Sequence, residues 1–459
     1  MDSANFSASQ LEDASVQSEL LKDLIEAIDE RDGRWIARAL NRQHPADAAD
    51  LLEMLSYDSF EKVVGLLGGH LSSEILIELR DEYREGAVET MPDDAVASVL
   101  DELDSDDATA ILEDIEDNRR ERILEELEPG DRAQYEQVLA FEEETAGRLM
   151  QREFVAAPEY WTVGHAIDHA RERAEELPEI FYEIYVTDPA FRPLGVVTLS
   201  MLLRSSRETK LSELMLPLMS DIATGMDQEE VAYQFQKYSL ASAPVKDGAG
   251  RLVGMITVDD MVDVIQNENT EDILALSNVS SADGSHSVLD TIKARAPWLG
   301  INLFTAFIVS GVIAVFDNVI VALVPLAILM PMISALGGNA GSQTLAVAVR
   351  AIAEREMEGP AVRRAIFREL LTGIGNGTIF AVAVALMVFV WFRDPGLSIV
   401  AGSALIATFT WACLLGILLP LGLKRLGADP AVASSVFVLT LTDIVAFFSF
   451  LGLAALFLL

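Results

Sequence analysis

The chain has 459 residues, 33 of them Lys or Arg and 72 Asp or Glu, for a formal net charge of −39. So acidic a surface repels nucleic acid, whose binding rests on basic side chains at phosphates, and the single cysteine, Cys413, excludes intrachain disulfides and thiolate zinc sites. The charge is uneven: residues 1–290 carry 23 basic and 64 acidic side chains (−41), residues 291–459 carry 10 and 8 (+2).

The N-terminus lacks a charged segment followed by an apolar core, so no cleavable secretion signal is expected. Residues 1–140 read as an acidic helical-repeat domain. PADAADLLEML (45–55), MPDDAVASVLDEL (91–103), DSDDATAILEDI (104–115) and EPGDRAQYEQVL (128–139) share one plan. Each carries Pro, Asp or Ser at its opening, which suits a helix start, and continues with apolar residues at helical spacing. Units recurring at this interval predict an all-α array stacked into a superhelix.

Residues 141–270 change character. FYEIYVTD, PLGVVTL, SAPVKD and RLVGMITV are short runs with β-strand composition, separated by helical stretches. YVTDPAFRPLGVVTLSMLL and PVKDGAGRLVGMITVDDMV align as two half-units, and this duplication resembles a tandem pair of α/β CBS domains. CBS pairs occur in enzymes, channels and transporters alike, so the pair alone names no function. Such domains that hold ATP often carry Thr-x-x-Asp after the last strand. Thr257 and Asp260 fit in the second half, whereas Thr198 is followed by Met201 in the first. Tyr182 or Tyr185 could offer an adenine platform. ATP thus enters as a second ligand to be tested.

Residues 271–297 read as a connecting (plug) helix and linker. From 298 to 459, five apolar runs (298–317, 320–349, 369–392, 397–423 and 431–458) are each long enough to span a bilayer, which takes about 20 helical residues. Together they predict a polytopic α-helical membrane domain with five transmembrane helices. Lys293, Arg295, Arg350, Arg355, Arg363, Arg364, Arg368, Lys424 and Arg425 cluster on one side, while the other side holds Asp317, Arg393 and Asp394. The positive-inside tendency then puts the N-terminal domains in the cytoplasm and Leu459 outside a multi-pass cell (inner) membrane protein.

Two features in this domain carry chemistry. PMISALGGNAGSQT (331–344) is a poor lipid-facing helix, and a local break exposing carbonyls beside Asn339, Ser342, Gln343 and Thr344 is expected. The other reading is a small-residue packing seam. Asp443 is the only charged residue after Asp429. A mid-membrane carboxylate costs about 3 kcal/mol even on insertion scales, so it should face a pore, a partner or a cation. No Lys or Arg lies at membrane depth beside it. Carboxylate, hydroxyl and amide oxygens suit a hard cation, Mg2+ above all. A proton-carrying Asp and a structural Asp are the competing readings.

In order and in motifs, the chain resembles the MgtE family of magnesium channels and transporters. The resemblance rests on the acidic helical domain, on YEQVLAFEEETAGRLMQREFVA (135–156), on GGNAGSQ in the second apolar run, and on DPAVAS with LTLTD around the fifth. It implies a homodimer in the lipid bilayer that passes Mg2+ inward along a pore on its two-fold axis. Asp443 would be the metal-binding acid of that pore, with Asn339, Ser342, Gln343, Gly337 and Gly338 along the ion path. Where the family often has a second Asn this chain has Ser342, and Ser435 and Val436 replace a frequent Asn/Gly-Pro. The resemblance further implies cytosolic Mg2+ sensing at Asp94, Asp227, Glu229, Asp260, Asp263, Glu268, Glu271 and Asp272. Crowded like charges repel, and bound divalent ions would screen and bridge them, which supplies a switch. The expected function is Mg2+ uptake gated by cytosolic Mg2+, not enzymatic catalysis. Alternatives are transport of another divalent cation (Mn2+, Co2+) and a membrane-anchored sensor of Mg2+ or nucleotide that transports nothing.

Overall fold

The computed structural model describes residues 8–173, 177–178, 180–276, 288–357, 359–429 and 434–459. The chain divides into two compact units, Met1–Ile265 and Gln266–Leu459.

The first unit begins with the 23-residue helix Ala8–Glu30, followed by short helices. Gly33–Leu40, Pro45–Glu53, Tyr57–Leu67, Asp81–Thr90, Asp93–Glu102, Ser105–Glu113, Asp117–Glu126 and Pro129–Leu139 are each three turns or fewer. No one of them can bury its apolar face alone. They share one core that includes Leu52, Phe60, Leu76, Leu100, Ile111 and Ile123, as the repeat pattern requires. Several open on acids, for example Asp93 and Asp94, or Asp106 and Asp107. Negative charge there meets the positive helix end.

Two small sheets follow. In one, Ala156–Pro158 runs parallel to Glu183–Thr187, which pairs antiparallel with Pro193–Thr198, and Leu216–Pro217 closes the edge. In the other, Ile222–Ala223 runs parallel to Ser242–Lys246, which pairs antiparallel with Leu252–Thr257. The duplication read in the sequence is repeated in detail. Both hairpins carry a register shift at the same place, between Val186 and Thr187 and between Val245 and Lys246. Both turns are tied by an aspartate: Asp188 accepts from the Ala190 and Arg192 amides, Asp247 from those of Ala249 and Arg251. The halves meet at Tyr185, which is fully buried and shares a 2.7 Å hydrogen bond with Ser242.

The helix Val258–Leu276 leaves the last strand. The expected plug and linker over 271–297 fall in part on 277–287, outside the described residues, and Val288–Val315 is one continuous helix.

The second unit is helical throughout its described residues. Thr291–Val315, Pro360–Phe392, Pro395–Arg425 and Ser435–Phe457 are long and apolar enough to cross a membrane. Their outward faces carry Leu303, Phe307, Val382, Leu386, Trp391 and Phe448, all more than 60% exposed. Only 11% of the most apolar stretch of the first is buried within the protein. Apolar surface on that scale calls for an apolar medium. The Pro325–Ala353 helix is the fifth long one, 29 residues. It falls short of the apolarity of the other four because Asn339, Ser342, Gln343 and Thr344 sit in its middle. The expected break at Gly337–Gly338 is absent: the helix continues through Pro331 and the glycines to Ala353.

The glycines have another use. A Cβ at Gly337 would stand 2.4 Å from Thr408 Cγ2, and one at Gly341 would stand 2.9 Å from Val438 Cγ1. Gly416 in turn packs on the Gly341 carbonyl, where its Cβ would sit at 2.8 Å. The small residues therefore form a close-packed seam on one face, while Asn339, Ser342 and Gln343 look outward from the other. The packing-seam reading of this stretch thus describes one face, while the other keeps its polar side chains without a break in the helix.

Candidate functional site

The Ser434–Phe457 helix places Asp443 in its middle, and the Pro325–Ala353 helix packs alongside. Ser334 Oγ donates to Asp443 Oδ1 at 2.5 Å. Sequence reasoning passed over Ser334. It lies one helical turn before Gly338, on the same face, but nothing local sets it apart from other serines. Asp443, Ser334, Asn339 and Gly338 line a cavity of about 510 Å3 together with Thr440 and, from the Val288–Val315 helix, Asn302, Thr305 and Ser310. Its polar lining consists of carboxylate, hydroxyl and amide groups, with no Lys, Arg or His. Gln343 and Gly337 do not line it: Gln343 faces a separate cavity, and Gly337 is buried in the seam. Ser342 is exposed. Of the DPAVAS motif at 429–434, residues 430–433 lie outside the described residues.

A second group of acids forms in the soluble unit. Asp260 stands in the first turn of Val258–Leu276, where Thr257 Oγ1 donates to its Oδ2 at 2.5 Å. The Thr-x-x-Asp pair is thus closed on itself. From the N-terminal helices, Asp106 and Asp107 come up beside Asp260, with Asp104 and Asp259 near. Burial, then repulsion from Asp260, pushes Asp107 up to about 7. Burial raises Asp260 to about 6 against its hydrogen bond from Thr257, with Asp259 and Asp263 adding to the rise. Asp106 is raised by burial and by Asp260 and Asp107. Carboxylates shifted this way are short of positive charge, the condition a cation relieves.

Asp106 and Asp107 were missed in the sequence because nearly every helix start nearby carries the same doublet. Asp94, expected in their place, is exposed, while its neighbour Asp93 is held low by Arg119 and Arg122. Asp227 and Glu229 are exposed at the start of Gln228–Tyr238, where Asp227 caps the Glu229 amide at 2.9 Å. Asp263 is raised by burial and by Asp259. In the second unit, Asp272 is raised by burial and by the nearby Asp429 and Glu271. Asp429 is a further acid that sequence reasoning left out. Of the two aromatic candidates for a nucleotide platform, Tyr182 is 41% exposed and Tyr185 is fully buried.

Comparison with known proteins follows the same order of domains. Residues 43–144 match the MgtE intracellular N domain, 222–267 a CBS domain, and 330–453 the MgtE divalent cation transporter domain. The magnesium transporter MgtE of Thermus thermophilus is 34% identical over 449 residues, covering 96% of this chain and 99% of that one. That of Enterococcus faecalis is 32% identical over 327 residues, covering 71% and 72%. A crystal structure described as the cytosolic domain of the Mg2+ channel MgtE in complex with ATP aligns with a TM-score of 0.49 at 35% identity, over 53% of this chain and 99% of that one. With a relative matched almost end to end at this identity, the chain belongs to the MgtE family.

Proposed function

We propose that this protein carries Mg2+ across the cell membrane and that its soluble acidic domains close the path when cytosolic Mg2+ binds them. The observation that carries the reading is Asp443: a solitary acid among apolar helices, hydrogen-bonded by Ser334 and opening on a cavity lined by hydroxyls and amides. A carboxylate at this depth attracts cations, and among the described residues no basic side chain lines its cavity. Mg2+ is commonly held through its water shell by one or two carboxylates, and the cavity has room for such a shell. The family relatives named as magnesium transporters support the same cargo.

In this reading five helices cross the bilayer, Pro325–Ala353 included, with the N-terminal domains cytoplasmic and the C-terminus outside. Two copies assemble so that their Asp443 residues face one another. Bound Mg2+ draws Asp106 and Asp107 onto Asp260, and Asp263, Glu268, Glu271 and Asp272 continue the same helix toward the membrane. Asp227 and Glu229 extend the acidic surface. We place the N-domain role on Asp106 and Asp107 rather than Asp94. ATP binding at the CBS pair remains a proposal resting on Thr257, Asp260 and Tyr182; with Tyr185 buried and Asp260 turned to Thr257, such binding requires those side chains to move. The protein has no assigned catalytic reaction in this scheme.

The test is flux into liposomes holding the full-length chain. Mg2+ should enter, and Asp443→Asn, which keeps size and hydrogen bonding but removes the charge, should cut the flux about ten-fold or more at normal expression. Wild-type flux through a well-folded Asp443→Asn protein would refute the pore role. Absence of any Mg2+ flux in the wild type, with Mg2+-dependent protection of the soluble domains intact, would leave a sensor. Preference for Mn2+ or Co2+ over Mg2+ would change the cargo.

A further inference from the structure

The membrane unit holds a second polar cavity that the Asp443 reading does not use. It encloses about 340 Å3 between the helices Pro325–Ala353, Pro360–Phe392 and Pro395–Arg425. Its acid is Glu369, whose side chain is only 13% exposed. Thr372 and Asn376 follow at the spacing of one helix face, and Asn339, Gln343 and Thr344 line the cavity from the Pro325–Ala353 helix.

The backbone fixes this arrangement. Between the polar residues, Gly373 and Gly377 press flat on the Pro395–Arg425 helix. Their Cβ atoms would stand 2.9 Å from Thr410 Cα and 3.0 Å from Ile406 Cα. No larger residue fits there without shifting backbone, so the glycine face is committed to that contact and the polar face is turned into the cavity.

Glu369 is poorly compensated. Its Oε2 accepts from Thr344 Oγ1 at 3.4 Å, and its Oε1 lies 3.5 Å from Arg368 Nε. Both exceed the about 2.7–2.9 Å of a charge-assisted hydrogen bond. Arg368 is itself 66% exposed, so it spends most of its charge on solvent. The remaining polar groups are amide and hydroxyl oxygens, ligands that suit a hard cation or its water shell. Six waters take about 180 Å3 at liquid density, which the cavity admits.

We propose that this cavity is a second binding site for a hydrated divalent cation, anchored by Glu369 and hydrogen-bonded by Gln343, Asn376 and Asn339. Asn339 lines both cavities, so the two sites share one amide across the Pro325–Ala353 helix. The site stands whether or not Asp443 lines the transport path.

Mn2+ serves as the probe, with free Mn2+ counted by its electron paramagnetic resonance signal over the purified full-length chain. Glu369→Gln should bind one Mn2+ per chain fewer than the wild type, and Arg368→Gln, which removes the competing positive charge, should tighten that site several-fold. The chain's only cysteine gives a local reading, because Cys413 lines the same cavity. Mg2+ should slow modification of Cys413 by a small methanethiosulfonate in the wild type and in Asp260→Asn, but not in Glu369→Gln. Equal Mn2+ counts in wild type and Glu369→Gln would overturn the proposal. So would Mg2+ protection of Cys413 that survives Glu369→Gln and disappears in Asp260→Asn, since it would then come from the soluble acids.

Discussion

Asp260 and Asp443 are both acids short of positive charge, but the two units build that condition in opposite ways. Around Asp260 the shortage comes from number: Asp106, Asp107, Asp104 and Asp259 crowd one place in an acidic, water-facing unit. Around Asp443 it comes from isolation, one carboxylate with a serine in an apolar bundle. The crowded site can be relieved by protons, salt or movement apart, so it suits a switch. The isolated site has no such freedom, because the glycine seam fixes the helices that carry it. Under the proposed function, sensing and conduction would use different carboxylate environments, held in separate units.

The contrast can be broken most severely on the rigid side. Gly416→Leu would force a Cβ into the Gly341 carbonyl and Thr344. Overpacking of this kind costs about 1–3 kcal/mol or more, and here the clash includes backbone. The yield of folded protein by size-exclusion chromatography should collapse, while a volume change at an exposed site of the soluble helices should not affect it.

Neutralising the crowded side should have the opposite sign. Asp106→Asn with Asp107→Asn relieves repulsion on Asp260, so the metal-free protein should resist proteolysis better than the wild type. The Mg2+ needed to protect it should then have little further effect. The gain in stability should be on the order of 1–2 kcal/mol, about one pKa unit of relieved interaction. A double variant that still needs Mg2+ for protection would remove these two acids from the switch.

The same cluster predicts a pH dependence. Asp107 is raised to about 7 and Asp260 to about 6, both above the unfolded value near 3.8. A raised carboxylate favours the folded contact when protonated. That contribution is complete below about pH 4 and is lost as pH rises through 6 and 7. Thermal unfolding of the metal-free protein should therefore show falling stability from pH 5 to 8, and Mg2+ should flatten the slope. A flat metal-free profile would show that the acids are not crowded in solution.

The smallest effect belongs to Asp317, an exposed acid on the short helix Asp317–Ala322. Salt screens a charge so placed, and Asp317→Asn should change Mg2+ flux less than about two-fold. A loss matching that of Asp443→Asn would mean that net charge, not position, governs the flux.

Much of this was legible in the sequence because hydropathy and duplication are chain-wide signals. The repeated Val-Lys-Asp and Val-Thr-Asp turns foretold two like hairpins, and a lone Asp443 in an apolar run foretold a polar lining. The expected break at Gly337 fails because glycine's low helix propensity acts there together with its neighbours: packing against Thr408 and the Pro395–Arg425 helix keeps the helix continuous. Asp106 and Ser334 were missed for a different reason. Their partners, Asp260 and Asp443, lie more than 100 positions away, and no local pattern distinguishes them from similar residues nearby. Glu369 sits at the edge of an apolar run next to Arg368, so its burial shows only in three dimensions.

The hydrogen bond between Tyr185 and Ser242 has a consequence for how this protein can change over generations. The two oxygens come from opposite halves of a duplication and satisfy each other where water does not reach. Losing the Tyr185 hydroxyl leaves Ser242 only its long 3.4 Å bond to Glu183, and losing that of Ser242 leaves the Tyr185 oxygen only Met255 Sδ at 3.8 Å, so either loss alone costs about 1–3 kcal/mol and the two losses together cost less than their sum. The halves are therefore free to diverge at their turns and edges, but at this point they inherit as a single character. Related chains should show Tyr with Ser, or Phe with Ala, far more often than either mixture.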